Sequence, residues 1–335
     1  MADTLDQVAK IAGVSRATVS RVVNNSPKVS PLTRKKVKKA VRESGYKPDA
    51  VARSLAKNET GIIGLVIPES VSRLFSDPFF APFIQSVTKK CNSMGYELML
   101  SLLSTPDREK EQCEGVVSSS FLDGFLFASS TVEDPLEEEL LNDGTPFVSV
   151  GRHPNEEVNF VDVDNYGGAK HATEYLLNLG HERIATITGP LDQAAGIDRL
   201  KGYKDGLRES GIEPEEELIA EGDFTEESGI NGTQTLLSNF PTAIVAANDM
   251  TAIGALKALK KSGKSVPDDI AIVGFDDVAS ATAVEPPLTT VRQPIKELGR
   301  QAIAVLHELI HDSNPGDGST KREFLETELV VRSST

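Results

Sequence analysis

The sequence predicts a small all-α domain followed by a large α/β core made of two doubly wound lobes with parallel sheets. Residues 6–25 carry two helical apolar patterns on either side of Gly13. Residues 61–335 alternate short, nearly continuous apolar runs with amphipathic stretches, which is typical of parallel strands covered by helices on both faces. This second part has about 275 residues, enough for two such lobes.

The N-terminal pattern predicts a helix-turn-helix. The first helix has one apolar stripe, formed by Val8, Ala9, Ile11 and Ala12. Gly13 supplies the turn, and Ser15 is a good N-cap for a second helix that runs from Ala17 to Asn24. The buried face of the second helix is formed by Val19, Val22 and Val23.

The outer face of the second helix has the side chains of a DNA reader. Near the start of the helix it presents Arg16, Ala17, Ser20 and Arg21. Helix-turn-helix proteins place their base contacts at this position; Arg21 can fork onto guanine, and the Ala17 methyl group can touch thymine. The alternative is an ordinary amphipathic helical hairpin.

A third helix, at about residues 30–44, is cationic on one side and predicts a phosphate-facing support. Its basic residues are Arg34, Lys35, Lys36, Lys38, Lys39 and Arg42, and its packing residues are Val37, Ala40 and Val41. Residues 1–60 contain 13 Lys and Arg against 5 Asp and Glu, whereas the remainder contains 22 against 45. A basic head on an acidic body is expected when only the head meets nucleic acid.

The core is predicted to alternate strands with helices. Strands are predicted at Ile62–Ile67, Tyr96–Leu103, Gly124–Ala128, Phe147–Val150, Ile184–Thr188, Ala243–Ala247 and Ile270–Phe275. Helices are predicted between them at Phe83–Met94, Tyr166–Leu179 and Asp249–Ser262.

Two motifs in this order resemble the LacI/GalR family of bacterial transcription regulators. Val8–Asn24 (VAKIAGVSRATVSRVVN) matches the family signature, and Gly45–Leu55 (GYKPDAVARSL) resembles the family hinge. The resemblance covers essentially the whole chain. It implies a helix-turn-helix domain at residues 1–48, a hinge helix and linker at 49–60, and an effector-binding and dimerisation core at 61–335 with the type I fold of periplasmic sugar-binding proteins.

The resemblance also implies a function. The chain would be a sequence-specific repressor of carbohydrate uptake or catabolism genes, bound as a homodimer to a two-fold symmetric, palindromic operator and released when a sugar binds between the lobes. The DNA contacts that it implies are Thr4, Ser15, Arg16, Ala17, Thr18, Ser20, Arg21, Asn24, Ala52 and Leu55.

The hinge has its own physical logic. Pro48 favours an extended end to the head, and Ala50–Ala56 has the composition of a helix too short to be stable alone in water. In the family, paired hinge helices enter the minor groove and a leucine wedges a base step, a role that falls to Leu55. An ordinary linker is the alternative.

The family fold implies two lobes joined by three crossovers. The first lobe would contain about 61–162 and 293–322, and the second about 163–292 and 323–335, the last range including a final strand at Phe324–Val331. The crossover-like segments are Val161–Asn165 and Thr289–Gln293. In doubly wound sheets the ligand lies beyond the carboxyl ends of the strands.

Several polar residues lie at those strand ends. Asn248, Asp276 and Arg199 match effector-binding positions of the family, and their acceptors and donors suit sugar hydroxyls. Phe224 matches a position where an aromatic ring stacks on the sugar. The full predicted effector set is Arg199, Asn248, Asp276, Phe224, Arg152, Phe79, Phe80 and Gln293.

Six of these residues also have a structural alternative. Asn248 can simply cap the following helix, Arg199 can form a surface ion pair, and Asp276 can be a turn residue. Phe79 and Phe80 can be core residues. Arg152 ends a strand and can either reach the cleft or not.

The family comparison leaves the effector's identity open. Gly151 stands where some members have a sugar-binding aspartate, and Ala195 stands where some have a serine. The Val150–Arg152 segment is closer to regulators of maltose or other oligosaccharides than to the lactose type. The segment after Asp276 lacks the arginines that hold a phosphoprotein co-repressor, so a small-molecule inducer is preferred. A regulator that depends on a phosphoprotein or a non-sugar effector is the alternative.

A rival from another class is a zinc hydrolase. His307-Glu308-Leu-Ile-His311 is a literal H-E-x-x-H, and Glu323 or Glu326 could supply a third ligand. The helix already has a packing face, however, formed by Ile303, Leu306 and Ile310. No other catalytic or dinucleotide motif occurs in the sequence. We therefore expect no enzyme activity, metal or cofactor.

A second rival is an exported sugar-binding protein. Residues 1–30 contain no apolar signal region, and no 18-residue apolar span occurs. Cys91 and Cys113 are widely spaced, as expected of reduced thiols in a cytoplasmic protein. No membrane contact is expected. No leucine heptads follow the final strand, which favours a homodimer over a tethered tetramer.

Overall fold

The structure is a computed structural model that describes residues 5–23, 26, 28–46, 60–67, 70–102, 121–128, 131, 135–312 and 320–335. It contains two compact units, Met1–Gly61 and Ile62–Thr335. Each unit has its own buried apolar residues and is described separately. Among the residues of these ranges, no helix is long and apolar enough to cross a membrane.

The head contains three helices in its described part. They are α1 (Leu5–Ala12), α2 (Arg16–Val23) and α3 (Pro31–Ser44). Gly13 has a φ of +64° in the turn, and the Ser15 hydroxyl accepts a hydrogen bond from the amide of Thr18 at 3.2 Å, as the sequence predicted. Ser30 caps α3 by accepting from the amide of Thr33. The head core is formed by Val8, Ala9, Val19, Val22, Val37 and Ala40.

The first lobe of the core is built on a six-stranded sheet. Its strands are β1 (Ile62–Ile67), β2 (Glu97–Leu102), β3 (Gly124–Ala128), β4 (Phe147–Val150), β5 (Phe160–Val163) and β11 (Arg322–Leu325), in the spatial order β11-β5-β4-β3-β1-β2. All the pairings in this sheet are parallel. Its helices are α4 (Val71–Ser76), α5 (Phe80–Met94), α6 (Pro135–Asp143) and α11 (Ile295–His311).

The second lobe repeats this plan. Its strands are β6 (Ile184–Ile187), β7 (Ile219–Ala220), β8 (Ala243–Ala246), β9 (Ala271–Asp276), β10 (Thr289–Arg292) and β12 (Glu328–Val330), in the order β12-β10-β9-β8-β6-β7. Only β12 is antiparallel to its neighbour among these pairings. Its helices are α7 (Asn165–Asn178), α8 (Ala194–Glu209), α9 (Glu226–Leu236) and α10 (Asp249–Lys261), and short 3-10 turns lie at Glu216–Leu218, Leu237–Asn239 and Ala279–Thr282.

The end of the chain differs from its predicted assignment. The prediction of a single final strand at Phe324–Val331 is wrong, because the segment forms β11 on the first sheet and β12 on the second. Residues 323–325 therefore lie in the first lobe, although the sequence placed them in the second. Glu326 and Thr327 separate the two strands and form a third passage between lobes. Glu326, Thr327 and Glu328 interrupt the apolar residues at this break, so the sequence held a signal that the single-strand prediction overlooked.

Candidate functional site

The predicted DNA-reading face lies on α2. Arg16, Ala17 and Arg21 are exposed, while Thr18 and Ser20 are half-buried. The opposite face of α2 is in the head core, with Val19 fully buried. The predicted contacts Thr4, Asn24, Ala52 and Leu55 lie outside the described residues, as does the rest of the predicted hinge at 49–59.

The predicted phosphate-facing surface lies on α3. Its exposed basic residues are Lys35, Lys36, Lys38, Lys39 and Arg42. Arg34 differs from these, because its Nη2 donates to the carbonyl oxygen of Ser26 at 2.5 Å and the side chain is half-buried. Arg34 therefore fixes the position of Ser26, whereas the other cations are exposed, with Lys39 lying 3.6 Å from Glu43.

A cleft with about 860 Å³ of open space lies between the carboxyl ends of the strands of the two lobes. All eight predicted effector residues line it: Arg152, Arg199, Asn248, Asp276, Gln293, Phe79, Phe80 and Phe224. Residues of the first and second crossovers also line the cleft, as expected where two doubly wound sheets face each other.

Arg199 lies in a buried network in this cleft and is not a surface residue. Its Nε donates to Asn165 Oδ1 at 2.9 Å, and its Nη1 donates to the carbonyl oxygen of Ala247 at 2.6 Å. Nη1 also lies 3.6 Å from Asp276 Oδ1. The guanidinium stacks over the Phe275 ring, 3.7 Å from its centroid. Burial lowers the pKa of Arg199, and the charge of Asp276 opposes that change.

Asp276 ends β9 and points into the same network. Its φ of 104° is in the left-handed region, which non-glycine residues rarely occupy. The Gln293 side-chain amide donates to Asp276 Oδ1 at 2.5 Å, so the second crossover and the strand end are joined. Burial raises the pKa of Asp276 well above its ordinary value, while the charge of Arg199 lowers it. Asp276 is therefore a cleft residue as well as a turn residue.

Asn248 is both a helix cap and a cleft residue. Its Oδ1 accepts from the amide of Thr251 at 2.8 Å at the start of α10, and its Nδ2 donates to the carbonyl oxygen of Phe224 at 3.0 Å. Phe224 has a φ of 66°, and its ring fills the space beside Gly189, where a Cβ would come within 2.2 Å of it. The Phe224 ring is consequently held at a fixed place on the cleft wall.

The two predicted aromatic residues of the first lobe share a wall of the cleft. Phe80 is nearly fully buried in the lobe core, while Phe79 is half-buried. The rings pack edge to face with centroids 5.4 Å apart, and Phe79 also stacks on Phe83. Both rings therefore serve the core and the cleft, so the two alternatives for them are compatible.

Sequence reasoning missed several polar groups of the cleft, among them Asp162, Asn165 and Asp77. Asp162 accepts from the amides of Arg152 and Val163 at 2.8 and 2.7 Å and from Asn165 Nδ2 at 3.0 Å. Burial raises the pKa of Asp162 to about 6. Asn165 Oδ1 in turn accepts a hydrogen bond from Arg199 Nε. Both residues lie in the predicted crossover, where their polarity was a usable signal. Asp77, which also lines the cleft, gave no signal of this kind.

The H-E-x-x-H side chains are engaged in other contacts. His307 Nδ1 lies 3.2 Å from the hydroxyl of Tyr96, and His311 Nδ1 donates to the carbonyl oxygen of His307 at 2.9 Å. Glu308 forms an ion pair with Lys321. Within the described ranges, no group of three His, Cys, Asp or Glu side chains is arranged to hold a metal ion.

Comparison with known proteins agrees with this architecture. Residues 4–49 match the profile of bacterial regulatory proteins of the lacI family, and residues 173–335 match the periplasmic binding protein-like domain. The chain is 41% identical over 337 residues to the HTH-type transcriptional regulator CelR of Thermobifida fusca, covering 99% of this chain and 98% of CelR. It is 35% identical to the repressor CytR of Escherichia coli K12, covering 100% and 96%.

Solved structures agree in fold over the same length. A CelR–cellobiose complex superposes with a TM-score of 0.78 at 39% identity, covering 99% of both chains. The lac repressor dimer bound to operator and the anti-inducer ONPF superposes with a TM-score of 0.85 at 29% identity, covering 99% of this chain and 98% of that one. The chain therefore belongs to the LacI family of bacterial transcriptional regulators, with a helix-turn-helix head and a two-lobed periplasmic-binding-protein-like core.

Proposed function

We propose that this regulator is a cytoplasmic, homodimeric repressor without enzyme activity, whose operator affinity falls when a neutral saccharide binds in the cleft between the lobes. The observation that carries the proposal is the buried network of Arg199, Asn165, Asp276 and Gln293 at the strand ends. It presents fixed donors and acceptors beside the Phe224 ring, which is the combination that sugar hydroxyls and a sugar's apolar face require.

The charges favour a neutral ligand over a sugar phosphate. Arg199 faces Asp276 at 3.6 Å, and Arg152 is bound bidentately by Asp198 at 2.8 and 2.9 Å. A phosphate entering the cleft would compete with these carboxylates for the same guanidinium groups. Hydroxyl groups can instead share both kinds of partner without leaving a buried charge unpaired.

Cellobiose is the first ligand to test. The relative CelR is solved as a cellobiose complex, and its fold matches over the full length of this chain. The cleft is lined by polar and aromatic side chains of both lobes, as small-molecule sites usually are. The test is isothermal titration calorimetry of the full chain with cellobiose, maltose, lactose and glucose 6-phosphate.

The matched variants are Asp276→Asn in the cleft and Asp268→Ala on the exposed loop before β9. One neutral disaccharide should bind the wild type, and Asp276→Asn should weaken it by about 10- to 100-fold because one carboxyl oxygen becomes an amide nitrogen that cannot accept from a sugar hydroxyl. Asp268→Ala should leave the affinity unchanged. Circular dichroism of both variants checks that they fold. Binding of glucose 6-phosphate alone, or no binding across the panel, would contradict the proposal.

A further inference from the structure

One ion pair joins the two lobes beside the cleft. Arg152 follows β4 of the first lobe, and Asp198 lies on α8 of the second lobe. Arg152 Nε lies 2.8 Å from Asp198 Oδ2, and Arg152 Nη2 lies 2.9 Å from Oδ1, so the contact is bidentate. The two side chains are 31% and 14% exposed, which places the pair in a partly desolvated position.

The first-lobe end of this pair is held in place. Gly151 has a φ of 126°, a backbone conformation that glycine tolerates and other residues rarely adopt. The amide of Arg152 donates to the buried carboxylate of Asp162 at 2.8 Å. The Arg152 side chain therefore leaves the first lobe from a fixed point, and its planar guanidinium can keep both hydrogen bonds only while the carboxylate stays in the plane of the fork.

The second-lobe end is equally constrained. Helix α8 packs closely on α7, because a Cβ at Gly202 would lie 2.3 Å from the carbonyl oxygen of Tyr166. Asp198 directly precedes Arg199, so neighbouring residues of one helix contact the first lobe and the effector network. A rotation of the second lobe that moves Arg199 must also move Asp198 away from Arg152.

We propose that the Arg152–Asp198 pair is an interlobe latch that holds the lobes at the spacing seen here, and that Arg152 acts on effector affinity through this closure rather than by touching the ligand. For its ligand readout the inference rests on the proposed saccharide site. Arg152 is thus a positioning residue. The sequence placed it among the effector contacts, and the geometry instead directs its guanidinium to Asp198.

The ligand test is a double-mutant cycle with near-isosteric changes, Arg152→Met, Asp198→Asn and both together, read as cellobiose affinity. If closure is what matters, each single variant should bind about 10-fold more weakly, because a smaller fraction of molecules is closed. The double variant should lose about the same 10-fold, and not 100-fold, because the two changes break one interaction. A loss with Arg152→Met but none with Asp198→Asn would show direct ligand contact and overturn the latch.

A second measurement needs no ligand and separates the latch from the saccharide proposal. Amide hydrogen exchange of the full chain is followed in peptides covering residues 160–166 and 194–199. Both single variants should exchange several-fold faster there than the wild type, because the lobes open more often. Arg208→Ala is the control, since it removes an ion pair with Asp205 on the same helix within one lobe.

The outcomes of the two measurements are distinct. Faster exchange in both variants supports the latch even if cellobiose fails to bind, in which case only the saccharide proposal fails. Unchanged exchange in Arg152→Met and Asp198→Asn overturns the latch whatever the ligand is.

Discussion

Arg21 and Lys36 illustrate two ways in which a single cation of the head can serve DNA binding. Arg21 is exposed on α2, the predicted reading helix, whereas Lys36 is exposed on α3, the predicted phosphate support. A guanidinium can form two hydrogen bonds with one guanine edge, while an ammonium near phosphates contributes a charge without reading sequence. Truncation of each residue to alanine should therefore change DNA binding in a different way.

Arg21→Ala should abolish discrimination between operator and unrelated duplex, at a cost of about 1–3 kcal/mol for each half-site. Lys36→Ala should weaken both duplexes alike and reduce the salt dependence of binding. Fluorescence anisotropy over a range of salt concentrations measures both effects, on an operator selected from random duplexes with the wild-type chain. Retained discrimination in Arg21→Ala would remove this residue from the reading face.

Asp249 makes stability depend on pH. It accepts from the Thr290 hydroxyl at 2.6 Å and from the amide of Val278 at 2.9 Å, and burial raises its pKa to about 7. The native state therefore binds this proton more tightly than the unfolded chain, in which the ordinary value is 3.8. The contribution of Asp249 to the free energy of unfolding must fall as pH rises from about 4 to about 7.

Asp249→Asn removes this titration and can keep both contacts, because an amide accepts from Val278 and donates to Thr290. Relative to the wild type, the variant should gain stability between pH 5 and pH 8, by an amount on the order of a few kcal/mol. Urea denaturation at both pH values measures this difference in the free energy of unfolding. The titration of the histidines contributes equally to both proteins and therefore cancels. Parallel profiles for variant and wild type would contradict the assignment.

At the scale of the element, the N-cap of α3 should contribute measurably to the stability of that helix. Ser30 accepts from the amide of Thr33 at 3.3 Å and begins the 14-residue helix α3, which places the phosphate-facing lysines. Ser30→Ala should destabilise α3 by about 1 kcal/mol, because an orphan amide is left to water. Ser30→Asp should remain near the wild type, since a carboxylate also caps and suits the helix N-terminus.

Hydrogen exchange of residues 31–44 in the full chain reads this change at α3 itself. The exchange rate of α3 should rise in Ser30→Ala and stay near the wild-type rate in Ser30→Asp. Equal protection in all three proteins would show that packing of Val37 and Ala40 alone holds the helix.

The strands show how far sequence reasoning reaches at this scale. β1, β3 and β4 have the predicted bounds, because each is a buried, mainly apolar run between glycine, proline or polar residues. β5 and β10 were read only as crossovers, since each has four residues and their buried polar groups, such as Asp162 and Thr290, mask the apolar signal. Thr290 donates to Asp249, 41 positions away, and one of the partners of Asp162 is the amide of Arg152, 10 positions away, and no short local pattern contains either contact.

The cleft residues also differ in whether the sequence contained a signal that could predict them. Arg199, Asn248 and Asp276 were predicted because they follow strands or match a family position, and all three line the cleft. Asp198 gave no signal, because a carboxylate on an amphipathic helix is usually a solvated surface group. Its importance comes from Arg152, which lies 46 positions away in the sequence and in the other lobe.

At the scale of the whole molecule, the two-site design has a thermodynamic consequence. If saccharide binding weakens operator binding by some factor, operator binding must weaken saccharide binding by the same factor. Titration calorimetry with the identified saccharide, in the presence and absence of saturating operator, should therefore give two different affinities whose ratio equals the loss of operator affinity. Equal saccharide affinities would show that the cleft and the head are uncoupled.

The split of the last strands between the two sheets also bears on how the protein is made. The head has its own core within its first 46 residues, so it can fold early in synthesis. Each lobe, in contrast, waits for a strand from residues 322–330, and the side chain of Ser334 completes hydrogen bonds to Thr289 and Ile272. During synthesis the DNA-binding head is therefore able to fold long before the effector-binding core is complete. A prematurely terminated product would contain a folded head without the core that controls it.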